Sequence, residues 1–552
     1  MSGFINWGHL GSIMKRKVED KFRETFLRRL GFHELESPVI SPERVFKASG
    51  HVTHFKEPMA ECADCKRRFR ADHLLQEFAK MSPQETDKMA LKEVTDALRK
   101  YAVKCPECGG SLSAPEHFLT MFRTTIGPYS EAVGYGRPEA AQGVFVEFKR
   151  LYEQTRERLP AGFATIGHAL RNEISPRQGP IRLREFTIMD LEFFFDPKIP
   201  KCPLLDEVRD ETLRLLLVKD RASGSKAPVE VTVSEAVEKG YILMEWQAFF
   251  MALAKRFVIG LGVPDDKQWF IEKFQWERAH YSVQGFDQEV HLDRWGWIEV
   301  AGFNYRTDYD LKGHMTESGV DMRVFKSDEK GTVKTEVVVK PVTAKIGPAF
   351  KEETEEVTGI LARVDARELE NAFKSRGFYQ AGEFRILPEQ VEIIRRKVEE
   401  KGRRFVPHVI EPSFGSDRLT YVALEYAYTA KKGRAVLKLP RDIAPVQLAV
   451  LPLVSKDGLP EQASHLHELL NAEGFLAEFD EAGSIGRRYA RFDEIGAPLC
   501  VTVDYQTLKD GTVTIRDRDS WRQVRARIDD LPALLRDYLR SRRNFGDLGM
   551  SS

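Results

Sequence analysis

Four of the six cysteines fall into two pairs, Cys62-x-x-Cys65 and Cys105-x-x-Cys108, the second followed by Gly109-Gly110. Two such knuckles supply the four thiolates of a closed tetrahedral Zn²⁺ site. The 39 residues between them exceed the span of a compact ribbon, so helices must lie between. Cys202 and Cys500 are isolated, the pattern of small buried hydrophobes. A second set is cationic. In FATIGHALRNEISPRQGPIRLREFTIMDLEFFF (163–195) two apolar, strand-like runs flank a polar loop. Arg171 closes the first run beside Glu173, and Arg177, Arg182 and Arg184 follow in the loop. A guanidinium at the end of a stiff strand can hold a phosphate bidentately in fixed geometry. In VPHVIEPSFGSDRLTYVALEYAY (406–428) a strand reaches a turn at Ser413-Phe414-Gly415, and a helix carries Arg418 in its first turn. Gly415 permits a close backbone approach, and the helix N-terminus favours anionic groups.

These two stretches resemble motifs 2 and 3 of the class II aminoacyl-tRNA synthetases, closest to the archaeal and eukaryotic glycyl branch. The helix and strand of residues 12–42 resemble motif 1, which lies at the dimer interface in that family. No HIGH or KMSKS sequence is present, which argues against the class I nucleotide fold. The resemblance implies formation of an aminoacyl-adenylate. A carboxylate attacks the α-phosphorus of ATP, pyrophosphate leaves, and arginines with Mg²⁺ stabilise the growing charge. It places Arg171 on the α-phosphate and the reacting carboxylate, and Arg418 on the γ-phosphate, as the catalytic pair. ATP contacts are implied for Arg171, Asn172, Glu173, Arg182, Leu183, Glu299, Val300 and Arg418. Glycine contacts are implied for Glu139 (in RPEAAQG), Asp190, Arg306 (in NYRTDYDL), Glu411, Pro412 and Ser413, with Arg306 meeting the substrate carboxylate.

The chain departs from the family pattern in three places. Asp190 stands where a glutamate is usual, Ala140 replaces a threonine, and the segment around Asn304 and Tyr305 differs. Asp190 and Glu192 alternate with Met189 and Leu191, so both acids share one strand face. A ligase for another small amino acid, alanine or serine, and a non-catalytic RNA-binding relative are the alternatives.

The elements that must position these residues can be read from periodicity. Ser12 to Leu30 has apolar residues at Met14, Val18, Phe22 and Phe26, predicting one helix face with Ser12 as N-cap and Gly31 as stop. The resemblance implies an α+β fold, with an antiparallel-sheet catalytic core over 1–438 and insertions near 57–112 (zinc-bearing), 198–266 and 328–385. From 439 to 541 strands and helices alternate as a separate α/β domain, closing with a helix from Ser520 to about Arg540. The tail, 542–552, lacks periodicity and is expected to be mobile.

GSIGRRYARFDEIG (483–496) and RDRD (516–519) resemble the anticodon-binding domain of class IIa enzymes, implying tRNA contacts for Arg487, Arg488 and Arg491. Read as residues alone, these arginines either stack on and pair with a single-stranded loop or cap a helix by pairing with Asp493 and Glu494. The basic runs Arg395-Arg396-Lys397 with Arg403-Arg404, Arg487-Arg488 with Arg491, and Arg516 through Arg527 read by charge alone as solvated helix faces.

Lys+Arg and Asp+Glu both number 84, so net charge says nothing for nucleic acid and little against it. The helix candidate Trp246–Val263 is broken by Lys255 and Arg256, so no membrane span is expected. With no signal-like start, the expected location is cytoplasmic. The implied partners are tRNA(Gly), glycine and ATP in a homodimer, with structural Zn²⁺.

Overall fold

A computed structural model describes residues 3–551 apart from 129–130, 175, 177 and 362–363, and the backbone alone of 83–84, 328–336, 396–401 and 551. Arg177 therefore lies outside the described residues. Two units are distinguished, one of 1–322 with 407–552 and one of 323–406.

The first unit is built on a nine-stranded sheet. Its strands are β1 (His33–Glu34), β2 (Ala161–Leu170), β3 (Glu185–Phe195), β4 (Thr212–Leu216), β5 (Val229–Thr232), β6 (Gln268–Glu272), β7 (Gln284–Leu292), β8 (Gly296–Thr307) and β9 (His408–Gly415). Their order is β1-β2-β3-β9-β8-β7-β6-β4-β5, antiparallel except for β1–β2 and β4–β6. Register puts the chemistry side by side. Asp190 on β3 faces Ser413 on β9, Asn304 on β8 faces Glu411, and Gly302 faces Ser413.

Alternation along β3 decides what each face does. Met189, Leu191, Phe193 and Phe195 are buried in the main core, against helices α1 (His9–Phe22) and α3 (Glu245–Ile259). Asp190, Glu192 and Phe194 point the other way, where Phe194 stacks at 4.4 Å on Phe148 of α2 (Ala141–Gln154). Met14, Val18, Phe22 and Phe26 are all buried, as their spacing predicts. Phe22, Phe26 and Phe257 enclose Phe414, with ring centroids 4.9–5.6 Å from it. Each such ring contributes about 1.5–3 kcal/mol by leaving water, so the strand preceding Arg418 has a rigid footing. Helix α4 (Ser416–Ala427) is pinned at its start: Asp417 accepts from Trp7 Nε1 (2.7 Å) and the Thr187 amide (2.6 Å).

Several boundaries differ from the sequence expectation. Helix α1 starts at His9 with Gly8 as N-cap; Ser12 lies inside it, its Oγ donating to Trp7 O at 3.2 Å. The helix continues as a π-helical stretch, Arg23–Arg28. The segment 198–266 does not stand apart: β4 and β5 extend the sheet, and α3 is buried on nearly all sides.

The C-terminal part, around its own core, has strands β10 (Leu448–Pro452), β11 (Ala477–Phe479), β12 (Leu499–Val503), β13 (Thr512–Asp517), β14 (Gln523–Arg527) and β15 (Met550–Ser551), with helices α5 (Leu459–Ala472), α6 (Ile485–Ile495) and α7 (Leu531–Leu539). The expected closing helix begins only at Leu531; 523–527 is a strand because Val524 and Ala526 alternate inward. The tail expected to be mobile is tied down, with Leu548 buried and Met550–Ser551 paired to Arg525–Val524.

The second unit is a long antiparallel pair, Val324–Pro341 with Val391–Phe405, and three helices (Thr343–Phe350, Thr354–Leu361, Ala366–Arg376) around Ile346, Val357, Leu361 and Leu369. The basic run read as a helix face is thus a strand. β-Branched Val391, Ile393, Ile394 and Val398 favour that state over helix.

Candidate active site

Two adjoining clefts open on the sheet face that carries Phe186, Ile188 and Asp190. The first is walled by Glu173, Arg182, Leu183, Val300, Gly415 and both Arg171 and Arg418. The second is walled by Glu139, Lys273, Arg278, Tyr281, Asn304 and Glu411. Arg171, Ile188, Glu299 and Ser413 belong to both. The two arginines, far apart in sequence, therefore face one cavity.

Each arginine is oriented through Nε. Arg171 donates to Pro138 O at 3.0 Å and lies 5.4 Å over the Phe186 ring. Arg418 donates to Ile181 O at 2.7 Å and through Nη1 to Glu299 O at 2.8 Å. A fixed guanidinium plane loses little entropy when it meets an oxyanion. The loop between β2 and β3 is held from behind, Arg184 donating to Glu173 O at 3.0 and 2.7 Å. Arg182 is exposed on the first cleft, 4.0 Å from Glu173. Asn172 is half-buried and its backbone N–H donates to Thr120 O (2.7 Å); neither it nor Pro412 walls a cleft. The Arg137 side chain passes over Gly167, where a Cβ would meet its Nη2 at 2.4 Å. Arg137 thereby donates to Ser37 O (3.0 Å) and His168 O (2.8 Å), binding the segment before β2 to the sheet.

Glu299 sits between the clefts. Against desolvation, which raises it, the charges of Arg418, Lys273 and Arg171 hold its carboxyl below the ordinary value. Lys273 is paired with Asp287 at 2.9 Å. Burial, then the charge of Glu299, pushes Asp287 to about 7. Hard oxygen donors beside two arginines suit Mg²⁺, so Glu299 and Asp287 are the residues that could hold it.

The second cleft rests on a cage of acids. Arg306, 0% exposed, donates to Asp310 (2.8 and 2.8 Å), Glu411 (2.5 Å) and Glu139 (3.3 Å), and stacks 3.5 Å over Tyr281. This corrects the sequence expectation for Arg306. Four of its five N–H donors go to protein carboxylates, and it walls neither cleft, because Asp310, four residues on, folds back onto it. Its role is to gather acids, leaving their remaining charge for a cation.

Glu139 also accepts from Gln142 (2.9 Å) and Tyr281 Oη (3.1 Å). Against its burial, the charges of His51 and Arg306 hold it well below the carboxylate range. Glu411 is pushed up to about 8 by burial, with Arg306 opposing. Asp190 is pushed up to about 6 by burial. It accepts from Ser413 Oγ at 2.5 Å and the Ala140 amide at 2.7 Å, so two of the family departures touch each other. With both oxygens engaged and no wall position, Asp190 orients Ser413 rather than standing in the cleft itself. Glu192, fully buried with neither oxygen hydrogen-bonded, is held well above the carboxylate range by burial and then by the charge of Glu411. His51, Gln142, Tyr281, Lys273, Asp287 and Asp310 were not singled out by sequence. Only the four-residue spacing of Arg306 and Asp310 was a usable signal.

In the insertion near 57–112, the Sγ atoms of Cys62, Cys65, Cys105 and Cys108 lie within 4.8 Å of one another. Helices Ala71–Phe78 and Leu91–Lys100 lie between the pairs, as the spacing requires. Four converging thiols fit a tetrahedral Zn²⁺.

In the C-terminal part, Arg487 is exposed at the start of α6. Arg488 is 1% exposed and donates to the Glu481 and Gly483 carbonyls at 2.7 Å. It is a structural arginine, so the expected tRNA contact is corrected there. Arg491 pairs with Asp480. The RDRD arginines are also interior, neither a solvated face nor a reading surface: Arg516 pairs with Asp493 (2.8 and 2.9 Å), and Arg518 donates to Gly496 O and Leu439 O.

A family profile described as an anticodon binding domain matches residues 447–538. A protein of Aeropyrum pernix named glycine–tRNA ligase is 48% identical, over 100% of this chain and 94% of the relative. Proteins of the same name from Pyrococcus horikoshii (45% identical; 97% and 94% covered) and Methanocaldococcus jannaschii (42%; 98% and 95%) are also similar.

Proposed function

The chain belongs to the glycine–tRNA ligase family, and on that premise we propose how its residues divide the work. It is an aminoacyl-tRNA-forming ligase that uses ATP, glycine and tRNA. The observation that carries the assignment of roles is the convergence of Arg171 and Arg418 on one cleft beside a cage of acids. Arg171 meets the α-phosphate where negative charge grows; Arg418 holds the leaving pyrophosphate. Glu299 and Asp287 would hold Mg²⁺, which would supply positive charge against the negative charge growing on the phosphates. Glu139 and Glu411 receive the glycine ammonium, and Ser413, aimed by Asp190, orients it. A pocket for the smallest amino acid would reject larger ones by overlap, which makes an editing site unnecessary. The domain layout, a core to 438 and an anticodon-binding domain over 439–541, is supported by the separate C-terminal core. Arg487 and Arg491 are proposed for the anticodon loop. A homodimer is supported by the motif 1 resemblance of 12–42, with Ile40 exposed. No described helix is long and apolar enough to cross a membrane. Free thiols at a metal cage suit a reducing compartment, so we place the chain in the cytoplasm.

ATP–pyrophosphate exchange with glycine, alanine and serine in turn tests this reading; glycine alone should support it, and better exchange with alanine would overturn it. The glycine dependence should also move with pH. In the empty site Glu411, at about 8, is protonated near neutrality and must release its proton to solvent before its carboxylate can receive an ammonium. Apparent glycine affinity should rise at least ~10-fold from pH 6 to pH 8. The sign for stability is opposite: the raised carboxyl favours the empty folded state below its unfolded value, ~4.3, and that contribution is lost as pH climbs through about 8. Glycine should therefore raise Tm more at pH 8 than at pH 6.

For the cysteine cage we propose one structural Zn²⁺ per chain. Metal analysis should find about one equivalent. A strong chelator should melt the insertion, seen as lost amide protection over 57–119, before the rest of the chain unfolds.

A further inference from the structure

The two oxygens of Glu139 are loaded unequally. Oε1 accepts from Gln142 Nε2 at 2.9 Å and from Arg306 Nη2 at 3.3 Å. Oε2 accepts, among the described residues, from Tyr281 Oη alone, at 3.1 Å. A carboxylate oxygen has about two acceptor positions, so the one left open for a substrate cation is on Oε2. Neither donor on Oε1 serves it exclusively. Gln142 Nε2 also reaches Asp310 at 3.0 Å, and Arg306 Nη2 reaches Asp310 at 2.8 Å.

A third group stands by the same oxygen with nothing else to bind. His51 is 0% exposed, and its Nε2 lies 3.3 Å from Glu139 Oε1, yet that nitrogen is buried without a hydrogen bond. Its Nδ1 meets Ser49 Oγ at 2.7 Å. Phe55 and Phe46 close round the ring, with centroids 4.8 and 6.1 Å away. The ring is thereby held with Nε2 towards Glu139. A carboxylate beside Nε2 keeps a proton there, in the neutral ring as in the imidazolium. A buried N–H without a partner is costly, and a contact left long in an empty site is the kind that tightens when substrate arrives.

We propose that His51 is a positioning residue of the ammonium subsite: its Nε2–H closes onto Glu139 Oε1 when the glycine ammonium takes Oε2. This rests on the glycine-activating reading given above. His51 acts through Glu139 and does not itself touch glycine. The ammonium keeps its charge from the bound state through the transition state, so its loss of support falls on KM and leaves kcat nearly unchanged.

The test is glycine-dependent ATP–pyrophosphate exchange on full-length His51→Leu, His51→Gln and Ser49→Ala, each with a melting curve. A hydrogen bond to a charged group corresponds to about a 10- to 100-fold change in affinity. His51→Leu should raise glycine KM by that factor, with kcat within about threefold and ATP KM unchanged. His51→Gln, whose amide N–H can stand in for Nε2–H, should recover most of the loss. Ser49→Ala, which only loosens the ring, should raise glycine KM about threefold, and it carries the test if His51→Leu does not fold. The proposal is overturned if glycine KM is unchanged in the folded variants. It is also overturned if glycine and ATP KM rise together, or if His51→Gln is no better than His51→Leu, since either marks a histidine that only packs. Wild-type exchange with glycine, run alongside, separates these outcomes from failure of the glycine-activating reading, which would remove exchange from wild type itself.

Discussion

Arg171→Ala should lower the rate of glycine-dependent ATP–pyrophosphate exchange by about 10³-fold, with the protein still folded. Among the described residues the side chain makes one structural hydrogen bond, Nε to Pro138 O, and lies against Phe186; its loss removes little packing. What it removes is a pre-aimed donor at the phosphorus under attack. One such donor in a water-poor site is typically worth ~10²–10³ in rate, and here it carries full charge. The expected signature is a fall in kcat with small changes in both KM values, because the charge it meets is largest in the transition state. Exchange within threefold of wild type would remove Arg171 from the chemistry.

Arg306→Met should act on stability first. Three carboxylates, from Glu139, Asp310 and Glu411, hydrogen-bond to this one guanidinium in a fully buried space. Removing one partner of a buried ion pair typically costs ~3–5 kcal/mol. At a few degrees per kcal/mol for a large domain, Tm should fall by roughly 10 °C. The penalty should shrink as pH drops, since protonated acids no longer need the cation. A variant that melts like wild type and shows only a raised glycine KM would restore the sequence expectation that Arg306 contacts substrate.

That reversal shows what was legible beforehand. Arg171, Arg418 and the four cysteines were found because strand ends, a helix start and CxxC spacing are local patterns. The β2–β3 pair and the core stripe of α1 follow from periodicity for the same reason, whereas the α+β class came with the family resemblance. Arg306 and Arg488 were misplaced because sequence gives a residue's face but not what lies opposite. Asp310 closes over one, and the carbonyls of Glu481 and Gly483 surround the other. Arg395 and its neighbours were read by charge as helix, although the β-branched residues among them carried the stronger signal.

The short strand Met550–Ser551 covers the outer rim of β14, and Leu548 plugs the core beneath it. Sheet rims left bare recruit other chains. A purification handle placed at the carboxy terminus hangs directly from this seal, whereas trimming the last few residues unzips it. The amino terminus offers no refuge, because Gly3 O and Trp7 are themselves tied to Arg184 and Asp417. Recombinant production therefore favours a handle that is cleaved away.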